Sequence, residues 1–146
     1  MADRRPSVSP SPFDHLAESY DETFSESPLG MTLRAAVWRR VEPLVRSGGS
    51  ALELGCGTGM DARRLADSGM RVVAVDASKM RVEITRRRCR SLADDVRVEH
   101  GDLQCLDSIP GCAGPYDLAL SDFGALNCVE DLAQVLLSVR HRLTSG

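Results

Sequence analysis

Four short apolar runs, each followed by a turn and then by residues at helical spacing, organise most of this 146-residue chain. Ala51–Leu54, Arg71–Val75, Val96–Glu99 and Tyr116–Ser121 read as strands, the second as a buried run and the third in period-two alternation. Between and after them the spacing predicts helices over about 60–68, 79–92 and 128–143, with a short helical turn near Leu103 to Asp107. Ser78 is placed to cap the second helix, and Asn127 with Glu130 reads as a capping box for the last. Ahead of the first strand, Thr32 to about Val45 turns Leu33, Val37, Val41 and Leu44 inward, and Pro43 shortens its end. Earlier still, Phe13, Leu16, Ala17, Tyr20 and Phe24 fall on one helical face. The first dozen residues, with Pro6, Pro10 and Pro12 among serines, are expected to be disordered, which leaves one domain over 13–146. Two helices followed by repeated β-α units predict an α/β fold: a Rossmann-like, doubly wound sheet with strands in the order 3-2-1-4. No internal repeat is visible.

The chemistry concentrates in Ala51-Leu52-Glu53-Leu54-Gly55-Cys56-Gly57-Thr58-Gly59, where an apolar strand runs into three glycines spaced two apart. Glycine tolerates positive φ and close approach of a ligand, and the next helix offers unpaired N–H groups at its start, so a nucleotide-like cofactor is expected here. A dinucleotide fingerprint would need glycine at position 60, which is Met60, and a phosphate-binding P-loop would need a lysine that this segment lacks. Asp76, at the end of the second strand, occupies the position of a ribose-binding carboxylate, and an ordinary turn residue is the competing reading. Glu53, Asp76, Asp102 and Ser121 all fall at strand carboxyl ends, where open α/β sheets bind ligands.

The E-x-G-x-G-x-G pattern resembles motif I of the class I S-adenosylmethionine-dependent methyltransferases. The resemblance makes S-adenosyl-L-methionine the expected cofactor and places Glu53, Gly55, Cys56, Gly57, Gly59 and Ala77 against it, with Asp76 at the ribose. Met80 then either covers a purine face or is plain core. Gly101, Asp102 and Leu103 correspond to the adenine-side pair and its neighbour, the carboxylate facing the exocyclic amine, although Asp102 also reads as the cap of a short helix. Ser121 and Phe123 fall where the family contacts the methionine arm. A Phe-Asp…Tyr-Asp stretch serves some members as a lid, which makes Tyr20 a candidate contact near the sulfonium; an aromatic stripe filling core is the alternative. The resemblance implies methyl transfer to a small-molecule acceptor, with no catalytic residue assigned. The alternative is a non-catalytic fragment or subunit that binds S-adenosylmethionine or S-adenosylhomocysteine. Family members continue beyond Arg142–Gly146 with further strands, so the fourth strand is expected to form an open edge through which the chain self-associates.

Composition agrees with a soluble intracellular domain, 42% hydrophobic and 27% charged with a formal net charge of −3, and a cytoplasmic location is the default expectation. No apolar run is long enough to span a bilayer. Cys56, Cys89, Cys105, Cys112 and Cys128 lack C-x-x-C spacing, so reduced thiols are expected rather than a disulfide framework or zinc site. His15, His100 and His141 lack metal spacing, and no metal is expected. Arg81, Arg86, Arg87, Arg88 and Arg90 crowd one helix, but Glu83, Asp94 and Asp95 lie close by and no aromatics interleave, which disfavours nucleic-acid binding.

Overall fold

The computed structural model describes Ala17 and residues 19–145. The expectations for 1–12, Phe13, His15 and Leu16 lie outside the described residues. A helical turn of wide π-type, Asp21–Ser25, precedes α1 (Pro28–Val41), and the sheet follows. Its strands are β1 (Ser50–Leu54), β2 (Arg71–Asp76), β3 (Val96–His100) and β4 (Leu118–Leu120), interleaved with α2 (Met60–Asp67) and α3 (Lys79–Arg88) and followed by α4 (Leu132–Arg140). The sheet is parallel in the order β3-β2-β1-β4, as the connectivity predicts.

Period-two alternation sorts the strand residues onto two apolar layers. Ala51, Val72, Ala74, Val96, Val98 and Leu118 pack with Trp38 of α1, Leu65 of α2 and Val82 of α3. Leu52, Leu54 and Val75 pack on the other face with Leu103, Leu106, Ile109 and α4 residues Val135 and Val139. Glu53, between Leu52 and Leu54, therefore points into the α1/α2 layer.

Several boundaries and faces differ from the sequence pattern, each for an identifiable reason. Leu33 and Leu44, expected inward, are 42% and 56% exposed, whereas Trp38 is buried. The buried face of α1 runs through Gly30, Trp38 and Val41, because the large indole gains both a core and a carboxylate partner while Gly30 lets the helix approach the Phe24 carbonyl. A Cβ at Gly30 would lie 1.9 Å from that oxygen. With Pro43 in the next turn, α1 gives way after Val41 to a 3-10 turn, Glu42–Leu44. The last helix begins at Leu132 and is capped by Asp131, whose Oδ1 accepts from Gln134 N at 2.9 Å, so the Asn127/Glu130 capping box does not form. Asn127 lies instead in a 3-10 turn, and the Glu130 and Asp131 amides both donate to Gln104 Oε1 at 3.0 Å. The helix expected to reach residue 92 closes at Arg88, with a 3-10 turn over Arg90–Leu92. Residues 116 and 117 fall outside the β4 ladder; Tyr116 forms an isolated parallel bridge to Leu143 after α4. The cysteines are unpaired, with Cys56, Cys89 and Cys112 buried and Cys105 and Cys128 exposed.

Candidate functional site

The site is assembled at the carboxyl ends of β1, β2, β3 and β4. Gly55, Gly57 and Gly59 all take positive φ, which is why the turn from β1 into α2 needs glycine at alternate positions. They do different work. A Cβ at Gly55 would meet the Ala125 Cβ at 2.1 Å and one at Gly59 would meet Thr85 at 2.7 Å, so these two serve close packing. A Cβ at Gly57 (φ +56) would meet nothing within 4 Å, leaving space over the loop. Cys56 is buried beneath, its thiol pushed well above the usual range by burial and then by the Glu53 charge.

Asp76 ends β2 and is 6% exposed. Its Oδ2 accepts from Gly57 N and its Oδ1 from Ser78 N, both at 2.9 Å, so the carboxylate joins the glycine loop to the start of α3. Burial raises its pKa, and the two N–H groups oppose that shift. Ser78 caps α3 by accepting from Arg81 N. Ala77 offers its carbonyl to His100 Nε2 at 3.0 Å, and Gly101 N donates to Asp76 O at 3.0 Å, which brings the end of β3 beside the end of β2. Met80 is 39% exposed in the first turn of α3. Asp102 is exposed and caps the next turn through Gln104 N at 2.9 Å, and the Leu103 side chain is core. Ser121 Oγ donates to Leu54 O at 2.9 Å, tying β4 to β1.

The pattern of the chain did not announce a cluster of charge beside the loop. Glu53 is 2% exposed with Oε2 unpartnered, and its pKa is raised well above the carboxylate range by burial and then by the Asp61 and Asp122 charges. Asp61, buried in the first turn of α2, accepts from Trp38 Nε1 at 2.6 Å and from Arg34 Nη1. Asp122, just past β4, has a buried Oδ2 without a hydrogen bond, 3.9 Å from Arg34 Nη1, and burial with the Asp61 charge raises its pKa to about 7. Three carboxyls thus surround one guanidinium. Arg34 also lies 4.7 Å from the centroid of the Phe123 ring. Phe123 itself holds φ +48, a left-handed conformation that costs an aromatic residue roughly 1–2 kcal/mol. Phe24 meets Phe123 edge-on with centroids 5.4 Å apart, and Tyr20 stands 5.5 Å from Phe24, so the segment before α1 lies beside β4's end.

Two arginines of α3 are engaged internally: Arg86 pairs with Glu83 and donates to Val98 O, and Arg88 contacts Asp21 and Thr58 O. That use weakens a nucleic-acid face further. A cavity of about 360 Å³ lined by Ser50, Arg71, Asp95 and Tyr116 lies at the opposite ends of the strands and shares no residue with the loop. Among the described residues, no cluster of His, Cys, Asp or Glu is placed to hold a metal, and no helix is long and apolar enough to cross a membrane.

A 3-2-1-4 parallel sheet with a glycine loop after β1 and carboxylates at the strand ends defines a Rossmann-like domain of the cofactor-binding type. Residues 51–146 match the model of a methyltransferase domain family, and the chain belongs to the class I S-adenosylmethionine-dependent methyltransferases. It is similar to a demethylmenaquinone methyltransferase of Clavibacter sepedonicus, 37% identical over 120 residues, covering 81% of this chain and 46% of the relative. A cypemycin N-terminal methyltransferase of a Streptomyces species is 40% identical over 98 residues, covering 66% and 38%. The chain thus spans about half, or less, of the length of these relatives. Among solved structures, a putative S-adenosyl-L-methionine-dependent methyltransferase from Methanococcus maripaludis superposes with a TM-score of 0.74 at 23% identity, covering 100% of this chain and 64% of that one. The DhpI–SAH complex gives 0.68 at 26%, covering 90% and 60%.

Proposed function

We propose that the chain binds S-adenosyl-L-methionine at the carboxyl ends of β1, β2, β3 and β4 and forms the donor half of an enzyme that methylates a small-molecule acceptor. The observation that carries this reading is the unpartnered, buried Glu53 Oε2 beside a loop left open at Gly57. A buried carboxylate without a partner costs several kcal/mol, and a cationic ligand offsets that cost. Glu53, whose carboxyl burial holds toward its protonated form, would ionise on receiving the ammonium of the methionine arm, with the nearby Asp61 adding negative potential. Each Asp76 oxygen accepts one backbone N–H and keeps further acceptor capacity for a ribose hydroxyl. Ala77, Gly101, Asp102 and Leu103 would flank the adenine, and Met80, half-exposed, would cover one of its faces.

When bound, the sulfonium supplies an activated methyl electrophile. The protein's share is orientation: the loop and Asp76 fix the nucleoside, Glu53 and Ser121 fix the amino-acid arm, and Tyr20, Phe24 and Phe123 keep water from the reacting end. Burial raises the Asp122 pKa to about 7, and its buried oxygen faces Arg34 at 3.9 Å rather than an acceptor's proton. No side chain here is given the role of general base. The two curated relatives carry names that describe different acceptors, which supports a shared donor half whose acceptor choice is set elsewhere.

Titration calorimetry of the 146-residue chain with S-adenosylmethionine, S-adenosylhomocysteine and NAD tests the reading. Binding of the first two in preference to NAD is expected. A chain that takes up NAD more tightly, or neither sulfur compound, overturns it.

A further inference from the structure

One side chain fastens the segment before α1 to the glycine loop and to α3. Asp21 Oδ1 accepts from Thr58 Oγ1 at 2.6 Å, and its Oδ2 pairs with Arg88 Nη2. Arg88 reaches back as well, its Nε donating to the Thr58 carbonyl at 2.8 Å. Three elements thereby close one ring of polar contacts. Thr58 is buried and the Asp21 and Arg88 side chains are only 16% and 29% exposed, so the ring is partly shielded from water. Farther along the same segment, Phe24 packs on Phe123 beyond β4. The segment is therefore a strap, pinned at the loop by Asp21 and at β4 by Phe24.

The fastening point matters. Thr58 adjoins Gly57, whose N–H is held by Asp76 and whose carbonyl accepts from Thr85 Oγ1 at 2.9 Å. Strap, loop and the carboxylate at the end of β2 form one bonded series. A ligand held by the loop and Asp76 is in mechanical contact with every member of it.

We propose that Asp21 is a positioning residue that, through Thr58 and Arg88, clamps the strap over bound cofactor and sets how long the cofactor stays. This rests on the cofactor reading above and adds which bonds hold the strap and what their loss does. Release requires the strap to lift, and lifting breaks the Thr58 hydrogen bond and the Arg88 ion pair together. Removing either partner makes lifting more frequent.

The test is the release rate of S-adenosylhomocysteine from the 146-residue chain, measured by stopped-flow displacement for Asp21→Ala, Arg88→Met, Thr58→Val and the Asp21/Arg88 double variant. Release about 10-fold faster is expected for Asp21→Ala and Arg88→Met, with the double variant well short of the product of the two because they share one ring. Asp21→Asn, which keeps the Thr58 hydrogen bond and loses the ion pair, should fall between Asp21→Ala and the unsubstituted chain. Melting of the ligand-free variants is recorded alongside. A purely structural role would lower melting and leave release unchanged, and that result overturns the clamp. Should Asp21→Ala fail to fold, Thr58→Val and Arg88→Met carry the decision. An unsubstituted chain that does not bind S-adenosylhomocysteine overturns the cofactor reading and the clamp with it, whereas binding with unaltered release in the variants overturns the clamp alone.

Discussion

Replacing Asp76 by Ala separates what this carboxylate does for the fold from what it does for a ligand. In the free chain the change strips acceptors from Gly57 N and Ser78 N, each now bonded at 2.9 Å. Two charge-assisted hydrogen bonds suggest about 3–6 kcal/mol, but burial of the charge is the dominant influence on Asp76 and opposes them, so a net loss of roughly 1–3 kcal/mol in stability is expected. A ribose diol would lose a charged acceptor besides, worth about 1.5–3 kcal/mol, or roughly 10- to 150-fold in Kd. Thermal unfolding of the ligand-free variant reads the first quantity, and calorimetry with S-adenosylhomocysteine, well below the melting midpoint, reads the second. Asp76→Asn retains one acceptor oxygen but turns an amide NH2 toward a backbone N–H, so it should bind between the two. A folded Asp76→Ala chain whose affinity stays within about twofold of the unsubstituted protein would remove Asp76 from the site and refute the ribose assignment.

Gly57→Val should abolish cofactor binding while circular dichroism shows most of the fold retained. The side chain would enter the empty space over the loop, at a backbone cost of roughly 1–2 kcal/mol for the left-handed φ, and normal binding would mean the cofactor lies elsewhere. Asp122 has a folded pKa of about 7 against an ordinary 3.8, so the folded chain binds the extra proton between those values. Its contribution to stability is fully present below about pH 4 and is lost as pH rises toward about 7; Asp122→Asn should flatten that slope in denaturant titrations, and an unchanged slope would count against it. A cation favours the ionised carboxyls, so S-adenosylmethionine should bind more tightly as pH rises from about 6 to about 7.5, with proton release seen by calorimetry in two buffers. Beyond the Tyr116 bridge, the outer edge of β4 is unpaired among the described residues, and the 146-residue chain is expected to self-associate. Light scattering checks this, and a stable monomer would contradict it.

Local pattern was enough for the elements and their order. Strand and helix periods, the glycines after β1 and the acidic residue ending β2 are all encoded within short windows, and right-handed crossovers leave few ways to arrange four β-α units. That is why the sheet order, the loop and the position of Asp76 were legible. Which face of α1 is buried was not, because Leu33 and Trp38 compete and only the carboxylate of Asp61, 23 residues beyond Trp38, decides for the indole. The capping of α4 was likewise set from a distance, by Gln104 holding the Glu130 and Asp131 amides.

The electrostatics belong to the tertiary structure as well. Glu53 could be named from its motif, but nothing in the sequence places Asp61, Asp122 and Arg34 around it, since they come from α2, the end of β4 and α1. The same holds for Asp21, whose partners Thr58 and Arg88 lie 37 and 67 residues away. Sequence determines what each residue can do over one turn or one strand. Burial and charge depend on neighbours that only the packed sheet brings together.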